Sequence, residues 1–195
     1  AALVLETSAG FAQGDATANL QLNNQIKAAT KYTIAANKQV YKALDFEDKA
    51  ELANASKGLI ASPKVLEIRD KDNKLVWSQT AYSFLHKDAP NTANPSLWRN
   101  AQLNHKYGLF EVTEGIYQVR GYDMSNITFI EGNTGWIVVD PLMSTECAQA
   151  AMELVNDKLG FKPVKAVIYS HSHIDHFGGV KGVVSEDQVK AGEVQ

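Results

Sequence analysis

Three of the five histidines in this 195-residue chain fall within six positions, in the stretch His171-Ser172-His173-Ile174-Asp175-His176-Phe177-Gly178-Gly179. At the chain's own His and Asp frequencies, chance would produce an H-x-H-x-D-H roughly once in five thousand such sequences. The spacing constrains the backbone. Residues two apart point to one side of an extended segment, whereas a regular helix sets them about 200° apart. His171 and His173 are therefore expected on extended chain and not on a helical metal motif. Asp175 and His176 follow at once, and the pair Gly178-Gly179 lets the backbone turn tightly and come close to another element. Two imidazoles on one flank, with a carboxylate and a third imidazole on the other, make a donor set for zinc or a similar divalent ion. Four ligands in two pairs (His171 with His173, Asp175 with His176) imply two adjacent metals. A surface histidine cluster and a closed structural zinc site are the alternatives.

The segments before the cluster suggest what carries it. From Leu109 onward the pattern is strand-like: Ile116, Gln118 and Arg120 alternate with Tyr117 and Val119, and Asn126-Ile127-Thr128-Phe129-Ile130 follows. The turn Glu131-Gly132-Asn133-Thr134-Gly135 leads into Trp136-Ile137-Val138-Val139, whose lack of alternation predicts a strand buried on both faces. Residues 144–159 then form an amphipathic helix with Cys147, Ala151, Leu154, Val155 and Leu159 on one stripe. Ser144 or Thr145 can cap it, and Gly160 closes it. Residues 164–169 predict a second buried strand, and the cluster follows directly. That places it at the carboxyl end of a strand in a β–α–β unit, where open α/β sheets bind their ligands. A further helix is expected to start within 177–184.

Upstream, three regions are expected: a leader and helical arm over 1–45, a helix plus hairpin extension over 46–93, and the domain that bears the cluster over 94–195. Residues 16–43, without Gly or Pro, predict one or two helices, and residues 45–57 another, stopped by Gly58. Apolar runs at 66–69 and 75–77 around the polar turn 70–74 predict a β-hairpin, which 82–85 could extend. The connector 88–95, with Pro90 and Pro95, is the best internal boundary. After it Ser96 is expected to cap a short helix through Leu97, Trp98 and Leu103, ending near Gly108.

Composition excludes some classes of function. The net charge of −3, with no Lys/Arg-rich run, argues against nucleic acid as the partner. No apolar run approaches the roughly 20 residues needed to span a bilayer. The single cysteine, Cys147, rules out an internal disulfide and cannot by itself make a thiolate metal site, and it reads as a small buried hydrophobe. The first residues, up to Phe11-Ala12-Gln13, have the small apolar character of the tail of a secretory signal, although Glu6 interrupts it, so a periplasmic or secreted location is expected. The last ones form a polar connector where a further strand would be expected.

The order strand, Asp140, helix, strand, H-x-H-x-D-H-x-G-G resembles the metallo-β-lactamase superfamily. Residues 94–142, NPSLWRNAQLNHKYGLFEVTEGIYQVRGYDMSNITFIEGNTGWIVVDPL, with SHSHIDHFGGVKGVV downstream, resemble its alkylsulfatase branch more specifically, from about residue 46 to the chain's end. The resemblance implies an α/β fold, the N-terminal half of an αββα sandwich. It also implies two zinc ions, one on His171 and His173, the other on Asp175 and His176, with Asp175 also orienting the attacking water and Asp140 bracing the metal loop. The implied activity is hydrolysis of alkyl sulfate esters such as dodecyl sulfate to alcohol and inorganic sulfate, in a homodimer. Another hydrolase of the superfamily, acting on a lactam, thioester or phosphodiester, and a non-catalytic metal-binding scaffold are the rivals.

A catalytic zinc takes about three protein ligands, so two zincs need roughly six. The cluster supplies four. The remaining histidines, His86 and His105, are expected to face solvent or pack. Residues 1–195 alone are therefore expected to hold metal incompletely. Of the aromatics at 77–117, Trp77, Tyr82, Phe84, Trp98, Phe110 and Tyr117 are expected in the core more than in an alkyl pocket.

Overall fold

The computed structural model describes residues 27–195. Chain order runs through α1 (Lys31–Ala43), α2 (Ala50–Ala55), β1 (Leu59–Ala61), β2 (Glu67–Arg69), β3 (Leu75–Ser78), α3 (Pro95–Asn104), β4 (Gly108–Thr113), β5 (Ile116–Arg120), β6 (Ile127–Glu131), β7 (Trp136–Val139), α4 (Thr145–Leu159), β8 (Val164–Ile168) and α5 (Glu186–Lys190). Short 3-10 turns occupy Thr80–His86, Ile174–His176 and Val180–Gly182. Of the helical pattern over 16–43, residues 16–26 lie outside the described residues, as does the leader-like start.

Strands β4 to β7 form an antiparallel meander in which each strand pairs with the next, as tight polar turns between apolar runs dictate. The chain then leaves the sheet through α4 and returns as β8, parallel to β7, so the sheet reads β1-β4-β5-β6-β7-β8. Strand β1, which has no sequence signal beyond Leu59-Ile60, completes the far edge by pairing with β4. Gln195 pairs beyond β8: its N–H donates to Lys165 O at 3.0 Å and its carbonyl accepts from Val167 N at 2.8 Å, the slanted pattern of a parallel bridge.

Paired residues share a face, and the two faces differ. Leu109, Val119, Ile127, Phe129, Trp136 and Val138 are buried on one, together with Cys147, Ala148, Ala151, Met152 and Val155 of α4 and with Leu66 and Ile68 from the β2–β3 hairpin. On the opposite face Phe110 is fully buried at the β4 end, but Ile130, Ile137, Val139 and Ala166 are only half-buried, and Ile168 is exposed. The expectation of strands buried on both faces is thus corrected: α4 and the hairpin cover one side, and among the described residues no second layer buries the other to the same degree.

Local chemistry explains the other departures. The helix expected over 45–57 shrinks to α2, because Asp45 Oδ1 accepts from the N–H of Glu47 and Asp48, and Asp48 Oδ1 from that of Ala50. Such short side chains offer the backbone a turn in place of a helix. Asn94, not Ser96, caps α3: its side chain accepts from the N–H of Ser96 and Leu97, and Pro95 fills the first helical position. Residues 80–86 form a 3-10 turn and do not extend the hairpin, leaving Tyr82 and Phe84 exposed while Phe110 is fully buried. In 177–184 there is only the short turn Val180–Gly182, for reasons that lie in the site itself.

Candidate metal centre

Strand β8 delivers the cluster. Its last residue, Ile168, accepts a hydrogen bond from Asp140 N at 2.9 Å, so the ends of β7 and β8 lie side by side and both loops open at the same sheet edge. His171 Nε2 and His173 Nδ1 lie 3.1 Å apart. Asp175 Oδ2 and His176 Nε2 lie 3.3 Å apart. The rings of His171 and His176 are 4.0 Å from each other, which sets the two pairs next to one another. His171 and His173 are exposed, and Asp175 and His176 are half-buried.

Hydrogen bonds fix which imidazole atoms are available. Asp140 accepts from Ser170 N at 2.7 Å, from the Ser170 hydroxyl at 2.7 Å and from His176 Nδ1 at 2.8 Å. A serine hydroxyl has one proton, and here it goes to Asp140. Ser170 Oγ must therefore accept from His171 Nδ1, 2.9 Å away. With Nδ1 of both His171 and His176 protonated, the lone pair of each ring sits on Nε2, the atom that faces its partner donor. A carboxylate or hydroxyl on the far nitrogen is the usual means of orienting a metal-binding imidazole. Burial raises the affinity of the Asp140 carboxyl for a proton, but the Ser170 N–H and hydroxyl and His176 outweigh it and hold the group below the usual carboxylate range.

The donor set fits divalent metal. An ion that binds imidazole nitrogen at about 2.0–2.1 Å in tetrahedral geometry separates its donors by roughly 3.3 Å. Both pairs have that spacing. Among the described residues no three His, Cys, Asp or Glu side chains enclose a common point, so each pair supplies two donors and closes no cage.

The glycines act by close approach and not by unusual dihedrals. A Cβ on Gly178 would stand 2.4 Å from Met143 O, and one on Gly179 would stand 2.3 Å from Pro141 O and 2.5 Å from Ser144 O. Gly182 meets Thr145 O at 2.3 Å in the same way. This seam presses the chain after the cluster onto the start of α4 and interrupts the helix that the sequence suggested there.

Two residues without a sequence signal complete the surroundings. Asp123, 5% exposed, accepts from Met143 N at 3.1 Å and Ser144 N at 3.3 Å. The Ser125 hydroxyl donates to the main-chain carbonyl of Asp175. Both partners are distant in sequence, so spacing could not have found them; only their place in the alkylsulfatase-like stretch marked the loop. His86 and His105 pair elsewhere. Their rings are 5.5 Å apart, and His105 Nδ1 lies 2.9 Å from Gln79 Oε1. Burial, then the proximity of His86 and Lys106, lowers the His105 pKa.

Residues 120–195 match the metallo-β-lactamase superfamily. Over 164 residues the chain is 50% identical to the alkyl/aryl-sulfatase BDS1 of Saccharomyces cerevisiae, covering 84% of this chain and 25% of that protein. Against the linear primary-alkylsulfatase of a Pseudomonas species it is 50% identical over 171 residues, covering 87% of this chain and 25% of the relative. The solved stereoselective inverting sec-alkylsulfatase Pisa1 from Pseudomonas superposes with a TM-score of 0.80 at 48% identity, over 87% of this chain and 27% of that one. The chain thus spans about a quarter of the length of the relatives it matches.

Proposed function

We propose that this chain contributes half of a two-zinc site for hydrolysing alkyl sulfate esters, a reading supported by the match of residues 120–195 to the metallo-β-lactamase superfamily and by the similarity of most of the chain to alkylsulfatases. The observation that carries this is the pair of donor pairs, His171 with His173 and Asp175 with His176, each at the edge length of a zinc tetrahedron and side by side.

The chemistry demands such a site. A sulfate monoester is anionic and slow to hydrolyse, so it needs both charge neutralisation and a nucleophile at neutral pH. Bound zinc supplies both, lowering the pKa of coordinated water to about 7 and offsetting charge on the departing sulfate. The chain's own residues set the stage. Ser170 and Asp140 orient His171 and His176 through their Nδ1 atoms. Asp175 would serve as a metal donor, and its carboxylate could also accept a hydrogen bond from the attacking water and so align it. The exposure of His171 and His173 leaves the small-molecule ester open access. Export and a homodimeric state belong to the same proposal. Export is supported by the leader-like first residues, and the dimer by the resemblance to alkylsulfatases.

The test is release of inorganic sulfate from dodecyl sulfate by the complete protein, with His173→Ala abolishing it. A complete protein that binds zinc and releases no sulfate would leave another superfamily hydrolase as the better reading.

A further inference from the structure

The peptide plane between Asp175 and His176 joins the two Cα atoms from which the second donor pair hangs. Because that unit is planar, fixing its carbonyl fixes where both Cα atoms stand, the points from which the two side chains leave the backbone. The carbonyl is the acceptor of the Ser125 hydroxyl. Ser125 is 9% exposed and sits on the loop between β5 and β6, fifty residues away in sequence. His171 and His173 lie on other peptide units, outside the direct reach of this bond.

The loop that carries Ser125 is itself held at two residues, Gly121 and Asp123. Trp77 Nε1 and Gln79 Nε2 donate to Gly121 O at 2.7 and 2.8 Å, tying its start to the β2–β3 hairpin. Gly121 has φ +73° and no room for a side chain, since a Cβ would lie 2.5 Å from that of Tyr107. Two residues on, Asp123 takes the N–H groups of Met143 and Ser144. It thereby steadies the segment that follows Asp140, the residue that orients His176 from its other side.

From this geometry we infer that Ser125 is a positioning residue for the Asp175–His176 pair alone, setting the bite of one metal position and leaving the His171–His173 position to its own supports. The inference rests on the two-metal reading above.

The test uses the complete protein with cobalt(II) as the probe metal. Metal per chain, the affinity of each of the two sites by chelator competition, and the visible absorption of the bound cobalt are measured. Ser125→Ala is expected to weaken one of the two sites by about tenfold or more, within the range typical when an outer support of a metal ligand is removed, and to leave the other unchanged. Ser125→Thr and Ser125→Val have the same shape and differ in the hydroxyl, so any steric cost appears in both. The Thr variant is expected to hold the weaker metal at least tenfold more tightly than the Val variant. Equal affinities for Thr and Val, equal weakening of both sites, or an Ala variant with wild-type affinities would each overturn the role of Ser125. Failure of the wild-type protein to bind cobalt at all would overturn the metal reading itself, and this inference with it.

Discussion

Asp140 sits at φ +55° and Leu142 at φ +62°, on either side of Pro141. Side chains rarely adopt such backbone, and when they do the surrounding contacts enforce it. Asp140 is held by Ser170 and His176, and Leu142 by Asp140 O and Gly179 N, so the unusual backbone sits beside the cluster. Asp140→Asn keeps the shape and removes the charge. Its expected effect is a tenfold to hundredfold loss of metal affinity by chelator competition, and wild-type affinity would show that Asp140 is not a brace. Cys147 behaves in the opposite sense. Burial pushes its thiol up to about 12, from an ordinary value of 9.0, and burial does the same to Tyr122. Both groups are neutral when protonated, and the fold favours that form. Their contribution is therefore complete below the unfolded pKa and is lost as pH climbs toward about 12. Two outcomes follow: Cys147 resists a thiol reagent at pH 8 until urea unfolds the chain, and the urea midpoint falls between pH 9 and pH 11. Rapid labelling of the folded protein at pH 8 would contradict the burial.

The elements most legible in the sequence were those whose pattern and boundaries are local. The β2–β3 hairpin, the β4–β7 meander, α4 with its Ser144 cap and Gly160 stop, and β8 all lie where alternation, turn residues and apolar stripes predicted. The helix that periodicity predicts over 45–57 is shortened because Asp45 and Asp48 turn the backbone with their own side chains, a competition that periodicity does not register. Strand β1 had no pattern of its own, since an edge strand is defined by its partner β4. At the site, the spacing of His171, His173, Asp175 and His176 marked the cluster that the fold gathers at the β7–β8 edge, whereas Asp123 and Ser125 carried no signal, because each acts on a group that folding alone brings near. The glycine seam is testable at this scale. Gly179→Ala drives a Cβ into Pro141 O and Ser144 O and is expected to cost about 1–3 kcal/mol by urea unfolding. Gly160→Ala meets no neighbour, but φ +85° with ψ 153° is backbone that essentially only glycine adopts, so about 1–3 kcal/mol is expected there from the backbone alone. A cost near zero for Gly179→Ala would mean that the seam yields.

The described residues form a six-stranded sheet, one face sealed by α4 and the β2–β3 hairpin and the other largely half-buried, with the His171–His176 cluster at the β7–β8 edge. In the proposed two-zinc site each metal position would receive two donors from this chain, short of the roughly three that a catalytic zinc takes. The 195 residues taken alone are accordingly expected to retain well under two zincs per chain after dialysis, and two tightly held zincs would refute that ligand count. The order of strand pairing also bears on how the site comes into being. The meander closes through neighbours, and such local contacts form fast because little chain entropy is lost per contact. The bonds that shape the donors, Ser170 to Asp140 and Ser125 to Asp175, close loops of 30 and 50 residues. Refolding should therefore proceed in two stages. Trp136, buried in the meander, would regain its native fluorescence first, and the capacity to take up metal would arise in a later and slower phase.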